Sequence, residues 1–539
     1  MIGYSWATLT VVLLTVVALR RFRRRDIRNI RGPAAPSWLL GHQEMVIQTK
    51  VGELESEWVR EYGATWRMKG CFGEDVLCTA DPKALQYVFH TASYRFPKTV
   101  VANEVAKLFL GRGSLVSAAA EDHQRYRKFI NPAFGISQLR EFLPIFQRSA
   151  SSLSQKWKDE LVSDTSAEGS VINVLGTVAK MAMDAIGEVA FDYCFETLDG
   201  KEYALITAAN DVLADSLLRS TPWELAFKGT WQYLPQSILS SLKHLPHEGY
   251  QRFLKYFASA CQTGKGLIEQ RALENEKGRR DMTSLLAESN LSEKPSLRLS
   301  PDEMISQIVT VVGAHDVFAT TFCWLLYDLA QHHEDQQRIR DEIEAARAQL
   351  RARGGVDFTP ADFDSMTFAN AAIKESLRLH PGIPILFRMA EQDDILPLAQ
   401  PIETTSGQTI TEIPIAKGQS IATSIWSYNR LESVWGEDAH EWNPSRFLGD
   451  ANKEKASVGL VANLLTFSGG VRGCIGWRFA LLESQAVLVE LLENFAFHLP
   501  EETEVMQIFA AGGQTFPAAA VRGHIEKGIQ MPLRVTLAR

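Results

Sequence analysis

Residues Phe467-Ser-Gly-Gly-Val-Arg-Gly-Cys-Ile-Gly476 set one cysteine, Cys474, in a glycine-rich loop. An apolar run, Phe479-Ala-Leu-Leu482, follows and reads as the start of a helix. A thiolate that ligates a metal must stay deprotonated, which takes N–H donors and positive charge near the sulfur. Gly470, Gly473 and Gly476 let backbone amides close around it, because glycine adds no Cβ to the approach. Arg472 brings the charge and Phe467 shields one side from water. An isolated loop cysteine is usually just a small buried hydrophobe. Here five positions keep a fixed spacing, Phe-x-x-Gly-x-Arg-x-Cys-x-Gly, which arises by chance in about one chain in a few thousand.

That spacing resembles the haem-binding loop of the cytochrome P450 family, the haem-thiolate monooxygenases. The resemblance implies that Cys474 is the proximal iron ligand and that Arg472 pairs with a haem propionate. A thiolate ligand pushes electron density onto iron and favours O–O cleavage, which is why this chemistry uses cysteine.

Other stretches fall in the order the family would need. Lys374-Glu-Ser-Leu-Arg-Leu-His-Pro381 puts Glu375 and Arg378 three apart on one helical face. Alone that is a common helix ion pair. With Trp442-Asn-Pro-Ser-Arg-Phe447 it resembles the family's buried Glu-Arg-Arg network, with Arg446 as third member, although Ser445 stands where Glu is more usual. Arg388 fits the place of another propionate partner. In Glu121-Asp-His-Gln-Arg-Tyr-Arg-Lys, His123 and Arg127 lie four apart on one face. Such a run is ordinarily a solvated basic face, but the resemblance implies two more propionate partners.

Ser300-Pro-Asp-Glu303 is a strong helix start, with a Ser cap, proline in the first turn and a capping box. The apolar pattern continues to about His332, predicting a helix of roughly 48 Å. It matches the long helix over the distal haem face, and here the chain departs from the family. Gly313-Ala-His-Asp-Val-Phe318 keeps the acid at Asp316 but has Val317 where a threonine usually follows, and valine donates no hydrogen bond. Thr321, one turn on along the same face, and a hydroxyl of the substrate are the substitute candidates.

Composition frames the rest. The chain has 539 residues, 45% hydrophobic and 22% charged, with net charge −8, which argues against nucleic acid as partner. Its six cysteines form no CxxC and no framework, as suits a reducing compartment; a Cys71–Cys78 bridge is conceivable but not favoured. Residues 1–19 carry no charge and read as a transmembrane signal anchor. Arginines 20, 21, 23, 24 and 25 follow it, which places the remainder on the cytoplasmic side. A basic stop-transfer and proline-rich hinge covers 20–41, with Gly32-Pro-Ala-Ala-Pro-Ser-Trp-Leu-Leu-Gly41. Residues 42–539 then form the catalytic domain. Residues 145–290 read as helical and apolar, and the resemblance makes them a lid over a substrate channel. Residues 510–517 would be a loop reaching back to the substrate pocket.

The expected fold is mainly α with a small β subdomain, the cytochrome P450 fold, carrying an N-terminal transmembrane helix. The resemblance implies haem as cofactor, NADPH and O2 as co-substrates, and electrons from NADPH–cytochrome P450 reductase at the endoplasmic reticulum membrane. The substrate would be a small lipophilic molecule. Stretches such as Val434-Trp-Gly-Glu-Asp-Ala439 resemble fungal members of secondary metabolism, which points to a terpenoid; fatty acids and xenobiotics are alternatives. The missing alcohol opens another reading, a haem-thiolate isomerase or dehydratase. A haem sensor would need His315 as a second axial ligand.

Overall fold

The computed structural model describes residues 27–538 apart from 164–168, 205–207, 209–220, 242–247, 275–297, 450–457, 502 and 510–516. The anchor at 1–19, the arginines behind it, parts of the lid and residues 510–516 of the expected pocket loop lie outside the described residues.

Helices dominate, accompanied by small sheets, as expected. The helices that build the site are α1 (Ala120–Ile130), α2 (Ile136–Ser163), α3 (Val174–Phe191), α4 (Glu248–Glu274), α5 (Pro301–Val312), α6 (Ala314–Gln331), α7 (Thr367–Leu379) and α8 (Trp477–Asn494). One large apolar core joins α2, α3, α6, α7 and α8, from Ala80 to Val535. Phe479, opening α8, meets the rings of Phe134, Phe142 and Phe146, the last at 4.8 Å between centroids. This aromatic cluster seats the helix that follows the cysteine loop.

The predicted long helix spans Pro301–Gln331, but it is interrupted at Gly313 and so divides into α5 and α6. Its capping box is formed: Glu303 N–H donates to Ser300 Oγ at 3.3 Å, and Ser300 N–H to Glu303 Oε2 at 2.7 Å. Glu303 also accepts from Tyr126 and Arg125, each at 2.5 Å, and thereby fastens the start of α5 to α1. The α5–α6 run is long and apolar enough to cross a bilayer, yet most of its apolar stretch is buried in protein, and it serves as the core helix.

A four-stranded sheet has the order Thr65–Lys69, Asp75–Thr79, Ser420–Ser424, Ile385–Met389. Strands Asp394–Glu403 and Thr409–Ile415 form a hairpin whose turn uses Gly407 at φ +79°. The helix read from the apolar run Phe479–Leu482 ends at Asn494. Phe495–His498 pairs with Pro532–Leu537 as a strand, so long-range pairing overrides the local helical pattern. Cys71 and Cys78 are buried free thiols, not a disulfide.

Candidate active site

The cysteine loop leaves strand and helix geometry between two short turns, Leu465–Phe467 and Gly470–Arg472. Gly470 sits at φ +62°, and a Cβ there would run into the carbonyl oxygen of Phe89, so only glycine closes the loop against the Tyr87–Thr91 turn. Cys474 N–H donates to Phe467 O at 2.8 Å, which pins the cysteine back onto its own loop. Phe467 is buried. Burial raises the Cys474 thiol pKa, while the backbone N–H of Gly476 and the charge of Arg127 lower it. The cation acting on the sulfur is therefore Arg127; Arg472, expected in that role, turns elsewhere.

Cys474 is accessible to a water-sized sphere and yet surrounded by protein, and Asp316, 39% accessible, is likewise enclosed. Both face an interior space rather than bulk water. Along α6, Ala314 and Val317 are exposed, with Asp316 and Thr321 partly so, in a helix most of whose residues are buried. Val317 and Thr321 share the face that meets Gly382, where a Cβ would come within 3.0 Å of either side chain. The Thr321 hydroxyl donates to Val317 O at 2.7 Å, and its lone pairs can still accept.

Arg472 Nη1 donates to Ala118 O at 3.2 Å, and its guanidinium lies over the Tyr94 ring. Arg127 Nη1 donates to Val471 O at 2.7 Å, and Nη2 to Gly473 O, so α1 grips the loop on both sides of Arg472. Arg388 is 4% exposed. Burial and then Arg472 push its pKa down to about 10. His123 Nδ1 lies 3.2 Å from the Tyr94 hydroxyl. Burial, followed by Arg472, Arg127 and Lys98, pushes the imidazole down to about 3. Lys98 joins this group unforeseen: a backbone bridge pairs Lys98 with Arg388, and Lys98 Nζ donates to Val116 O at 2.6 Å. Burial, Arg388 and Arg472 hold its pKa well below the usual lysine range.

Three guanidinia, a lysine amine and an imidazole thus gather with no ion pair to a carboxylate among the described residues. The buried Nε atoms of Arg127 and Arg472 have no acceptor. Uncompensated buried cations cost several kcal/mol each unless an anion joins them. The donor set suits a ligand with two carboxylates beside a metal, and that is the charge pattern of a haem held by a thiolate.

Glu375 and Arg378, both fully buried, make two parallel 2.7 Å hydrogen bonds. Arg446 Nε reaches Glu375 Oε1 at 3.2 Å, and its Nη1 reaches Asp438 Oδ1 at 2.9 Å. The predicted triad is thus together, with Asp438 a fourth member that sequence reading missed. His315 holds Val312 O on Nδ1 at 2.6 Å and Asp316 Oδ1 on Nε2 at 3.2 Å. Both ring nitrogens are engaged, which removes the lone pair a second axial ligand would need.

These features define a haem-thiolate protein. A sequence model of the Cytochrome P450 family matches residues 31–518, and the chain belongs to that family. It is 31% identical to Cytochrome P450 monooxygenase 205 of Postia placenta, over 99% of this chain and 97% of that one. Cytochrome P450 monooxygenase 128 of the same fungus is 31% identical over 94% and 92%. Cytochrome P450 monooxygenase claU of Ampulloclitocybe clavipes is 27% identical over 90% and 89%. The chain is a P450 monooxygenase of fungal type, and its family implies a haem-thiolate iron.

Proposed function

We propose that residues 42–539 form one catalytic domain that oxidises a small lipophilic substrate, with Cys474 as the iron ligand. The carrying observation is the enclosed thiol beside a cluster of buried cations that has no carboxylate of its own. Bound haem supplies the activation of dioxygen. Every other part of the task falls to the chain. Arg388, Arg472, Arg127 and His123, with Lys98, hold the two propionates. Phe467 keeps water from the sulfur, Gly470 lets the loop close, and Gly476 donates its N–H to the sulfur. Arg378 and Arg446 hold the surrounding backbone by donating to the carbonyls of Asn429, Glu441 and Trp435, and Glu375 accepts from the Asn443 N–H. Asp316 and the Thr321 hydroxyl face the enclosed space and handle protons there, in place of an alcohol at Val317.

NADPH would deliver electrons through a flavoprotein reductase, as in the family's microsomal members. Residues 1–19 would anchor the chain in the endoplasmic reticulum membrane. An exposed aromatic surface supports this orientation: Trp38 is 54% exposed and Trp223 is 76% exposed. They are linked through the Trp38–Phe72 and Phe72–Tyr233 ring contacts and through Cys71, which packs on the helix Pro222–Thr230. A terpenoid of secondary metabolism is the substrate class carried by the resemblance.

The test is turnover in microsomes with reductase, NADPH and labelled dioxygen against a panel of terpene scaffolds. Label in the product establishes oxygen insertion. Unlabelled product formed without NADPH means an isomerase or dehydratase. Cys474→Ser is expected to abolish the thiolate signature of the reduced carbon monoxide complex.

A further inference from the structure

Adjacent residues on an α-helix project about 100° apart and do not face each other, yet His315 Nε2 lies 3.2 Å from Asp316 Oδ1. The contact forms beside the break at Gly313, where α6 has only just begun. The ring is fixed from the other side by Val312 O, a carbonyl at the end of α5, 2.6 Å from Nδ1. A carbonyl can only accept, so Nδ1 carries a proton. An ionised carboxylate can only accept, so Nε2 carries one as well. Two acceptors on one imidazole define an imidazolium.

The surroundings agree. His315 is 8% exposed. Burial opposes its charge, but Asp316 and the two hydrogen bonds outweigh that and raise its pKa. Burial likewise opposes the carboxylate, and His315 more than offsets it, so the Asp316 pKa is lowered. Across the gap, α4 contributes Tyr256, buried and stacked edge-on with Phe109 at 6.0 Å. Its phenol is pushed up by burial and by Asp316, so it stays neutral. Among the described residues no lysine or arginine pairs with Asp316, and Tyr256 is the other titratable group on which its charge acts.

We infer that His315 is the counter-ion of Asp316: a positioning residue that keeps the carboxylate ionised and aimed at the enclosed space, so that one stretch of the long helix contains the acid and the cation that controls it. The inference rests on the proposed monooxygenase reading for its catalytic consequence, though not for the ion pair itself. A chain with no alcohol at position 317 depends all the more on where its carboxylate points and on its charge.

The experiment pairs two readouts on the full-length haem-loaded protein in lipid nanodiscs. The first follows ¹⁵N-histidine signals against pH in wild type, His315→Gln and Asp316→Asn. The expected result is one imidazolium signal that persists above the usual histidine range, vanishes in His315→Gln and titrates at lower pH in Asp316→Asn. A neutral His315 in the wild type near pH 6 overturns the inference, and so does a signal indifferent to Asp316→Asn. The second is product formed per NADPH consumed, across pH. Glutamine keeps a donor for Asp316 but not the charge, so His315→Gln should lower coupling roughly tenfold and flatten its pH profile. Unchanged coupling at every pH overturns the positioning role. If no variant and no wild type forms product with NADPH, the monooxygenase reading fails, while the nitrogen signals still decide the ion pair.

Discussion

Two groups of buried arginines lie in this molecule, and they differ in what surrounds them. Around Glu375, two guanidinia face two carboxylates, and backbone carbonyls take the remaining donors. Around Arg388, three guanidinia and Lys98 face one another with no carboxylate in ion-pair range among the described residues. The first group is complete within the chain. The second would be completed by an outside dianion. A buried charge that is balanced internally holds the fold together, whereas one left unbalanced strains the fold until its ligand arrives.

The contrast can be broken most forcefully at Glu375. Glu375→Gln leaves Arg378 and Arg446 as buried cations with half their partners, and should cost about 3–5 kcal/mol. Denaturant unfolding of the apoprotein and haem content should both fall. If only haem content falls, the network belongs with the second group.

Glu55 carries the contrast to a single carboxyl. It is 3% exposed and borders a small apolar void with Trp58, Trp66 and Cys78. Burial raises its pKa to about 7, partly offset by hydrogen bonds from the backbone. The folded chain then binds a proton that the unfolded chain has released between about pH 4.5 and 7, so stability falls as pH rises through that window and is level above it. Glu55→Gln removes the slope and should stabilise the protein at pH 8 by about 3 kcal/mol. Unfolding curves at pH 5 and pH 8 measure it.

At Arg388 the signs should separate. Arg388→Met replaces an unbalanced cation by an apolar chain, so apoprotein stability should rise by about 1–3 kcal/mol while haem retention drops. A fall in both would place Arg388 with the structural group. Lys98→Gln should have the smallest effect, within about 1 kcal/mol on the apoprotein. Its signature is in proton bookkeeping: an arriving dianion raises the Lys98 pKa, so loading takes up protons, and the variant should take up fewer in a weakly buffered haem titration.

The legible parts of the site were those written locally. The cysteine loop has fixed spacing over ten residues, Glu375 and Arg378 are three apart on one turn, and the Ser300–Glu303 box is a four-residue signal. Lys98 and Asp438 were not legible, because a pairing such as Lys98 with Arg388 across a sheet margin leaves no periodic trace. Nor could sequence assign the cation nearest the sulfur. Arg472 is two residues from Cys474, but its guanidinium turns toward Ala118 and Tyr94, and Arg127 comes in from α1 instead. The His315–Asp316 contact was hidden by helical geometry itself, since neighbours on an unbroken helix would point apart.

The grip of Arg127 on Val471 and Gly473 joins residues 344 and 346 positions apart, and His90 meets Val458 across 368. At about 5–20 residues per second, the first half of this clasp leaves the ribosome roughly 20–70 s before the second exists. The nascent chain therefore carries unmatched arginines and an open aromatic seat through most of its synthesis. Haem capture becomes a late event in the life of the polypeptide, and truncations short of the cysteine loop should be handled by the cell as clients of its chaperones.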